Sequence, residues 1–232
     1  MKTLPPNYVA YNFEQLITTK EWPASFFKRL QDAVMIWDYS LENLKVIHGK
    51  GIKHTVFIPW GYTPNLENPF PQVPRDVDVM FVGAGGGTGK RVPKLAAIHA
   101  HKANPPWNLA FIYNTFGDPL KKIYRRSKVA LNLHFFTGRT ILEVHRILPL
   151  IVSKVLVFSE PSDDPWWDNE YKDMVYFDGG DDIITPLTKI LKTVNVEAET
   201  ERRYNLLLSC CRFTRYISRG LQQPVEAKVK TN

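Results

Sequence analysis

The sequence predicts an α/β fold with open, Rossmann-like parallel sheets, and three observations support this prediction. Short apolar runs rich in Val, Ile and aromatic residues recur along the chain, as expected for strands that are covered on both faces. Helix-like stretches alternate with these runs. A glycine-rich segment joins one run directly to the next helix-like stretch, which is an arrangement that suits a phosphate.

The individual elements can be assigned in chain order. Strands are expected at Ala33–Trp37, Thr55–Pro59, Val77–Val82, Leu109–Tyr113, Lys128–Leu133 and Val155–Ser159. Helices are expected at Ala24–Gln31, Gly89–Lys102, Pro119–Arg126, Thr140–Ile151 and Asp181–Thr193. Between these elements, the proline-rich segment 59–74 predicts an irregular linker.

This linker divides the chain into three predicted parts. Residues 1–65 are expected to form a reduced N-terminal part that is too small for a complete sheet domain, and residues 66–195 a complete nucleotide-binding unit. Residues 196–232 predict a basic amphipathic helix and tail. Of the net charge of +7, residues 201–232 supply +5, with seven Lys and Arg against two Glu. We interpret this charge as a solvated helix face; a nucleic-acid surface or a membrane patch is the alternative.

Composition excludes several classes of protein. With 232 residues, 44% hydrophobic and 23% charged, the chain is neither fibrous nor disordered. Its longest apolar stretch, Ile147–Phe158, is far short of the roughly 20 residues of a membrane span, and no signal peptide is evident. The adjacent Cys210 and Cys211 form neither a disulfide framework nor a zinc motif. A cytoplasmic protein is expected, with peripheral membrane contact only through the basic C-terminal helix and no nucleic-acid partner.

The glycine-rich segment 83–91 directs backbone N–H groups and a helix dipole toward one point. It is not a P-loop, because Arg91 replaces the required hydroxyl residue, and it is not a dinucleotide fingerprint, because Thr88 replaces the third glycine. We interpret the segment as a diphosphate site; a flexible surface turn is the alternative. The predicted contacts are Gly83, Gly85, Lys90 and Arg91.

A second polar cluster follows the strand that ends near Leu133. His134 comes at its end, and Glu143 and Arg146 are three residues apart in the next predicted helix. A carboxylate in such a crevice can accept both hydroxyls of a ribose, whereas a local ion pair between Glu143 and Arg146 is the equally weighted alternative. Asp76 and Asp78 resemble a metal-diphosphate motif but precede their strand, so no metal site is predicted.

Several segments, taken in order, resemble small GT-B glycosyltransferases, which have two Rossmann domains and occur in bacteria and large DNA viruses. The similarity covers about Tyr11 to Phe177. It is carried by Tyr11-Asn12-Phe13-Glu14-Gln15-Leu16, Trp37-Asp38-Tyr39-Ser40 with Asn43, Pro59-Trp60-Gly61-Tyr62, Asp78-Val79-Met80-Phe81-Val82-Gly83, Ser127-Lys128-Val129-Ala130-Leu131-Asn132-Leu133-His134, Glu143 to Arg146, and Ser159-Glu160.

The resemblance implies transfer of a sugar from a nucleotide diphosphate to an acceptor hydroxyl, without a metal or a further cofactor. It also implies further donor contacts. These are Thr115, Phe116 and Gly117 near the base, Asn132, His134 and Arg139 near the phosphates or sugar, Glu143 at the ribose, and Glu160 at the rim of the crevice. Related enzymes usually carry additional strands before the segment that begins at Tyr11, which agrees with a reduced N-terminal part. The resemblance implies that residues 1–65 form the acceptor side and that residues 66–195 bind the nucleotide sugar.

Glu14 and Asp38 are the candidate bases, because an inverting transferase needs a carboxylate near the acceptor hydroxyl. Each also has a structural alternative: Glu14 as a solvated side chain, and Asp38 closing a turn with Ser40. At the level of the whole protein, the rivals are a non-catalytic nucleotide- or partner-binding module and a nicotinamide-dependent oxidoreductase. Trp107, Trp166 and Trp167 fit either a sugar site or the core.

Overall fold

The computed structural model describes residues 4–18, 20–83, 89–136 and 138–223, and the strands in these ranges form two parallel sheets. The strand order is β1-β2-β3 in the smaller sheet and β5-β4-β6-β7-β8 in the larger one. The strands are β1 (Val9–Asn12), β2 (Met35–Asp38), β3 (Thr55–Phe57), β4 (Val77–Gly83), β5 (Leu109–Tyr113), β6 (Ser127–Asn132), β7 (Leu156–Ser159) and β8 (Val175–Phe177).

Helices connect most of these strands, as parallel pairing requires. They are α1 (Ala24–Asp32), α2 (Leu41–Gly49), α3 (Val92–Ala100), α4 (Asp118–Arg126), α5 (Val144–Val152), α6 (Pro165–Tyr171), α7 (Ile184–Thr193), α8 (Val196–Cys210) and α9 (Phe213–Gly220). The proline-rich segment between the sheets is irregular except for a 3-10 turn at Pro64–Leu66, as predicted. No described helix is long and apolar enough to cross a membrane.

The two faces of the larger sheet bury different residues of the same strands. In β4, Val79 and Phe81 face Leu95 of α3 and Leu187 of α7, whereas Met80 faces the opposite cluster around α5 and α8. This alternation places helices on both faces, which is the Rossmann-like architecture that the apolar runs predict.

Helix α5 begins at Val144, four residues later than predicted. The backbone N–H of Thr140 donates to Asp163 Oδ2 (2.7 Å) and that of Ile141 to Gln15 Oε1 (3.1 Å), so these residues bond to other segments instead of forming a helical turn. Further along α5, Pro149 lies inside the helix.

The predicted C-terminal helix is divided in two, and not all of its basic side chains are solvated. Two helices, α8 and α9, are separated at Cys211 and Arg212, where the Cys211 carbonyl accepts from the Tyr62 N–H (2.8 Å). Arg203 is buried and bonds Glu199 (2.7 Å) and the Met174 carbonyl (2.8 Å), so part of the basic charge holds α8 against the sheet. The two adjacent cysteines are joined as a disulfide.

A buried tryptophan joins the two sheets. Trp167 has no exposed area, and its indole Nε1 donates to the Tyr39 carbonyl (3.0 Å) beyond β2. Next to it, the Ser40 hydroxyl donates to Asp164 (2.5 Å), whose carboxylate also caps α6. Trp167 therefore belongs to the core rather than to a sugar site.

Candidate functional site

The carboxyl ends of β4, β6 and β7 meet at one edge of the larger sheet, where open α/β sheets bind ligands. Asn132 ends β6 there and is fully buried. Its amide Nδ2 donates to Glu143 (2.9 Å) and to the Ser159 hydroxyl (2.9 Å), and its Oδ1 accepts from Arg146 (2.9 Å). Asn132 thus fixes the Glu143 carboxylate and the Arg146 guanidinium next to each other.

Buried His134 and Glu143 form an ion pair. His134 Nδ1 lies 3.0 and 3.1 Å from the two Glu143 carboxylate oxygens, and Nε2 lies 3.0 Å from the Pro161 carbonyl. With an ionised carboxylate on one side and a carbonyl on the other, both partners only accept, so both ring nitrogens carry hydrogen and the ring is an imidazolium.

Burial and charge act in opposite directions on this pair. Burial lowers the pKa of His134, but the hydrogen bond and charge of Glu143 outweigh it, and the pKa is raised. Burial likewise raises the pKa of Glu143, yet its hydrogen bond to His134 and the nearby cations lower it to about 2. Both shifts favour the charged forms, a carboxylate and an imidazolium.

Glu160 is buried rather than placed at the solvent-exposed rim. Its Oε2 accepts from the His134 backbone N–H (2.8 Å) and its Oε1 pairs with Lys94 Nζ (2.8 Å). Lys94 also donates to the Gly180 carbonyl (2.9 Å), so it links α3, β7 and the segment after β8. The sequence analysis did not identify Lys94. Its position in the first turn of α3, just after the glycine-rich segment, is the signal that could have indicated it.

Arg91 lies at the start of α3 and is also buried. Its guanidinium lies 4.9 Å from the ring centroids of both Phe81 and Phe135. Burial lowers its pKa, as does the charge of Arg146, while Glu143 opposes this change. Arg91 is thus in the electrostatic field of the same cluster.

Two other predicted diphosphate contacts, Gly83 and Lys90, are described by the structure. Gly83 ends β4, and Lys90 is exposed immediately before Arg91. Gly85 lies outside the described residues.

Thr115, Phe116 and Gly117 form the turn after β5, at the same edge of the sheet. Gly117 has a φ of +66°, which favours glycine, and precedes α4 directly. The Phe116 side chain is 79% exposed and that of Tyr113 45%. Sequence reasoning missed Tyr113, an exposed ring at the end of a strand.

Arg139 is not brought into the polar cluster. Its guanidinium bonds Glu42 Oε2 of α2 at 2.8 Å, and this ion pair connects the segment before α5 to the smaller sheet. The hydrogen bond from Lys45 lowers the pKa of Glu42; burial opposes this effect, and Arg139 reinforces it.

The two candidate bases have different environments. Asp38 is fully buried and accepts from Asn12 Nδ2 (2.7 Å), the Ser40 N–H (2.8 Å) and Asn43 Nδ2 (3.1 Å). Burial raises its pKa to about 7, although these bonds lower it. The contact with Ser40 matches the structural alternative, a turn closed by Asp38. Glu14 is exposed.

We expect Asp38→Asn to lower the free energy of unfolding by about 2–4 kcal/mol, because an amide NH₂ would replace one acceptor among three donors. Glu14→Gln is the control, since its exposed side chain predicts a change within about 0.5 kcal/mol. Urea unfolding measures both. An Asp38→Asn protein as stable as the wild type would contradict the structural role.

Asp76 and Asp78 are engaged in ion pairs at the opposite, amino end of β4. Asp76 pairs with Arg126, and Asp78 with Lys128 (2.7 Å). Among the described residues, no group of three or more His, Cys, Asp or Glu side chains is placed to hold a metal ion.

No protein-family model matches the sequence, and no curated protein has significant similarity to it. Solved GT-B glycosyltransferases are similar in fold. TarM superposes with a TM-score of 0.59 at 12% identity, over 93% of this chain and 49% of TarM. HepE of Anabaena, solved with UDP and glucose, superposes with a TM-score of 0.64 at 8% identity, over 93% of this chain and 71% of HepE. Trehalose-6-phosphate synthase OtsA superposes with a TM-score of 0.55 at 11% identity, over 88% of this chain and 63% of OtsA.

These similarities establish the architecture. The chain has an α/β, GT-B-like fold with parallel Rossmann-like sheets, as the sequence predicts. It spans about half the length of TarM.

Proposed function

We propose that this protein transfers a sugar from a nucleotide diphosphate to an acceptor hydroxyl without a metal. The observation that carries this proposal is the cluster of Glu143, Asn132, His134, Arg146 and Arg91 at the carboxyl edge of the larger sheet. The GT-B-like fold supports it.

The proposed donor pose follows from charge and exposure. Glu143 keeps a lone pair for a ribose hydroxyl, because an ionised carboxylate offers about four and the structure uses three contacts. The exposed rings of Tyr113 and Phe116 suit the nucleobase. Lys90 and Arg91 would bind the diphosphate.

Cations provide the proposed catalytic effect. As the sugar departs, negative charge develops on the leaving diphosphate, and fixed cations stabilise it without reorganisation. Arg91, Arg146 and the His134 imidazolium are already held in place by stacking and hydrogen bonds. Of the two candidate bases, the exposed Glu14 fits better than the enclosed Asp38.

Nucleotide titration tests this function. UDP or GDP is expected to raise the melting temperature, NADH is not, and a labelled UDP- or GDP-sugar should be hydrolysed or transferred in the presence of EDTA. Stabilisation without any sugar turnover would favour the non-catalytic nucleotide-binding module. No stabilisation by either diphosphate would contradict the proposal.

A further inference from the structure

Aromatic side chains follow all three strands of the smaller sheet at their carboxyl ends. Phe13 comes directly after β1, Tyr39 directly after β2, and Trp60 three residues after β3. The ring centroid of Phe13 lies 5.3 Å from that of Trp60 and 6.5 Å from that of Tyr39. These rings therefore form one continuous aromatic surface that is exposed at Phe13 and buried at Tyr39.

This aromatic surface reaches the larger sheet through α5. The Trp60 ring stacks on the imidazole of His145, with centroids 6.3 Å apart and planes 14° from parallel. His145 lies two residues after Glu143 in the chain. Its side chain reaches solvent, yet surrounding protein and the nearby Arg146 cation lower its pKa, as expected for a group inside a crevice.

The electrostatic field of the polar cluster reaches Tyr39. Burial raises the pKa of its hydroxyl, and the charges of Asp38, Glu143, Asp164 and Glu14 raise it further. One hydroxyl thus lies in the electrostatic reach of both Glu14 on the smaller sheet and Glu143 beside the larger one.

Phe13 is 46% exposed although its ring belongs to this cluster. An exposed ring beside polar groups is typical of a binding site, because it offers an apolar face and the neighbours orient the ligand. The polar neighbours are the exposed Glu14 carboxylate and the His145 imidazole. A carbohydrate ring fits both features, with C–H bonds on its faces and hydroxyl groups around its edge.

We propose that Phe13 and His145, with Trp60 positioning both rings, form the acceptor subsite and that it binds a carbohydrate ring. This inference rests on the proposed function, because it names the acceptor class of the same crevice. Phe13 stacks on the C–H face of the ring, and Glu14 and His145 bond its hydroxyls. A flat apolar acceptor would instead leave these polar groups without partners.

Saturation-transfer NMR with UDP and the methyl glycosides of glucose, galactose and mannose tests the inference without requiring turnover. At least one glycoside is expected to bind, and Phe13→Ala should raise its Kd at least 10-fold. Phe13→Leu should do the same, because it keeps apolar bulk but removes the ring. Val73→Ala is the control, since Val73 is similarly exposed (39%) but belongs to the irregular segment that connects the two sheets along the chain.

The outcomes separate the two claims. UDP binding without glycoside binding, or glycoside binding that neither Phe13 variant weakens, would overturn the acceptor subsite and leave donor binding intact. Glycoside signals without any UDP signal would overturn the donor site of the proposed function, while their loss in Phe13→Ala would still support the subsite.

Discussion

Glu143→Ala is expected to abolish the rise in melting temperature that UDP or GDP gives the wild-type protein. The substitution removes the proposed ribose ligand and leaves the buried His134 imidazolium and Arg146 without their carboxylate. Hydrogen bonds to a charged group are worth about 1.5–3 kcal/mol each, so we expect the Kd for UDP to rise about 100-fold. Isothermal titration calorimetry measures the change.

Two further variants separate the loss of binding from the loss of fold. Glu143→Gln keeps the shape of the side chain and should still weaken UDP binding. Glu199→Gln is the control: it removes an ion-paired carboxylate of α8 and should leave UDP binding unchanged. In Glu143→Gln, burial remains but the charge is gone, so the pKa of His134 should fall below its ordinary 6.5. An NMR pH titration of the His134 imidazole resonances measures this pKa directly. Unchanged UDP affinity in Glu143→Gln and Glu143→Ala would exclude the ribose role.

The ion pair also predicts how stability depends on pH. The raised pKa of His134 contributes stability that is complete below 6.5 and is lost as pH rises through the raised value. The lowered pKa of Glu143 contributes stability that is complete above 4.5 and is lost as pH falls toward about 2. The difference in unfolding free energy between wild type and Glu143→Gln should therefore be largest between these two limits.

Trp167→Ala is expected to lower the free energy of unfolding by about 3–5 kcal/mol. The side chain is fully buried between the sheets, and its loss leaves a cavity and an unpaired Tyr39 carbonyl. Trp167→Phe keeps much of the volume but not the hydrogen bond, so its loss should be smaller. Trp166→Ala is the matched control, since Trp166 is the adjacent tryptophan and is only partly buried. Equal losses of unfolding free energy in Trp166→Ala and Trp167→Ala would contradict the role of Trp167 in holding the two sheets together.

The apolar runs predicted most of the fold, because a buried parallel strand needs little besides Val, Ile and Phe. Strands β1 and β8 escaped prediction for a physical reason. β1 has only Asn12 buried, and β8 has three residues, so neither shows a continuous apolar run. Their place in the sheets depends on pairing with β2 and β7, which local pattern does not encode.

The candidate site was predicted in part. His134, Glu143 and Arg91 were recognised from a strand end and a glycine-rich loop, and Asn132 from the resemblance to glycosyltransferases. The structure brings these four residues together. Arg139 has the same kind of local signal, but its partner Glu42 is 97 residues away. No local pattern contains such a pairing, and the same is true of Trp60 and His145.

Pro149 removes one backbone hydrogen bond from the interior of α5. Proline has no N–H, so the carbonyl of His145, four residues earlier, receives no hydrogen bond from it. The turn that carries His145 and Arg146 is therefore less firmly attached to the deeply buried turn after it than in an ordinary helix. A small pivot at this point would move His145 of the proposed acceptor subsite together with Arg146 of the proposed donor site, and would thereby couple binding of one proposed substrate to the fit of the other.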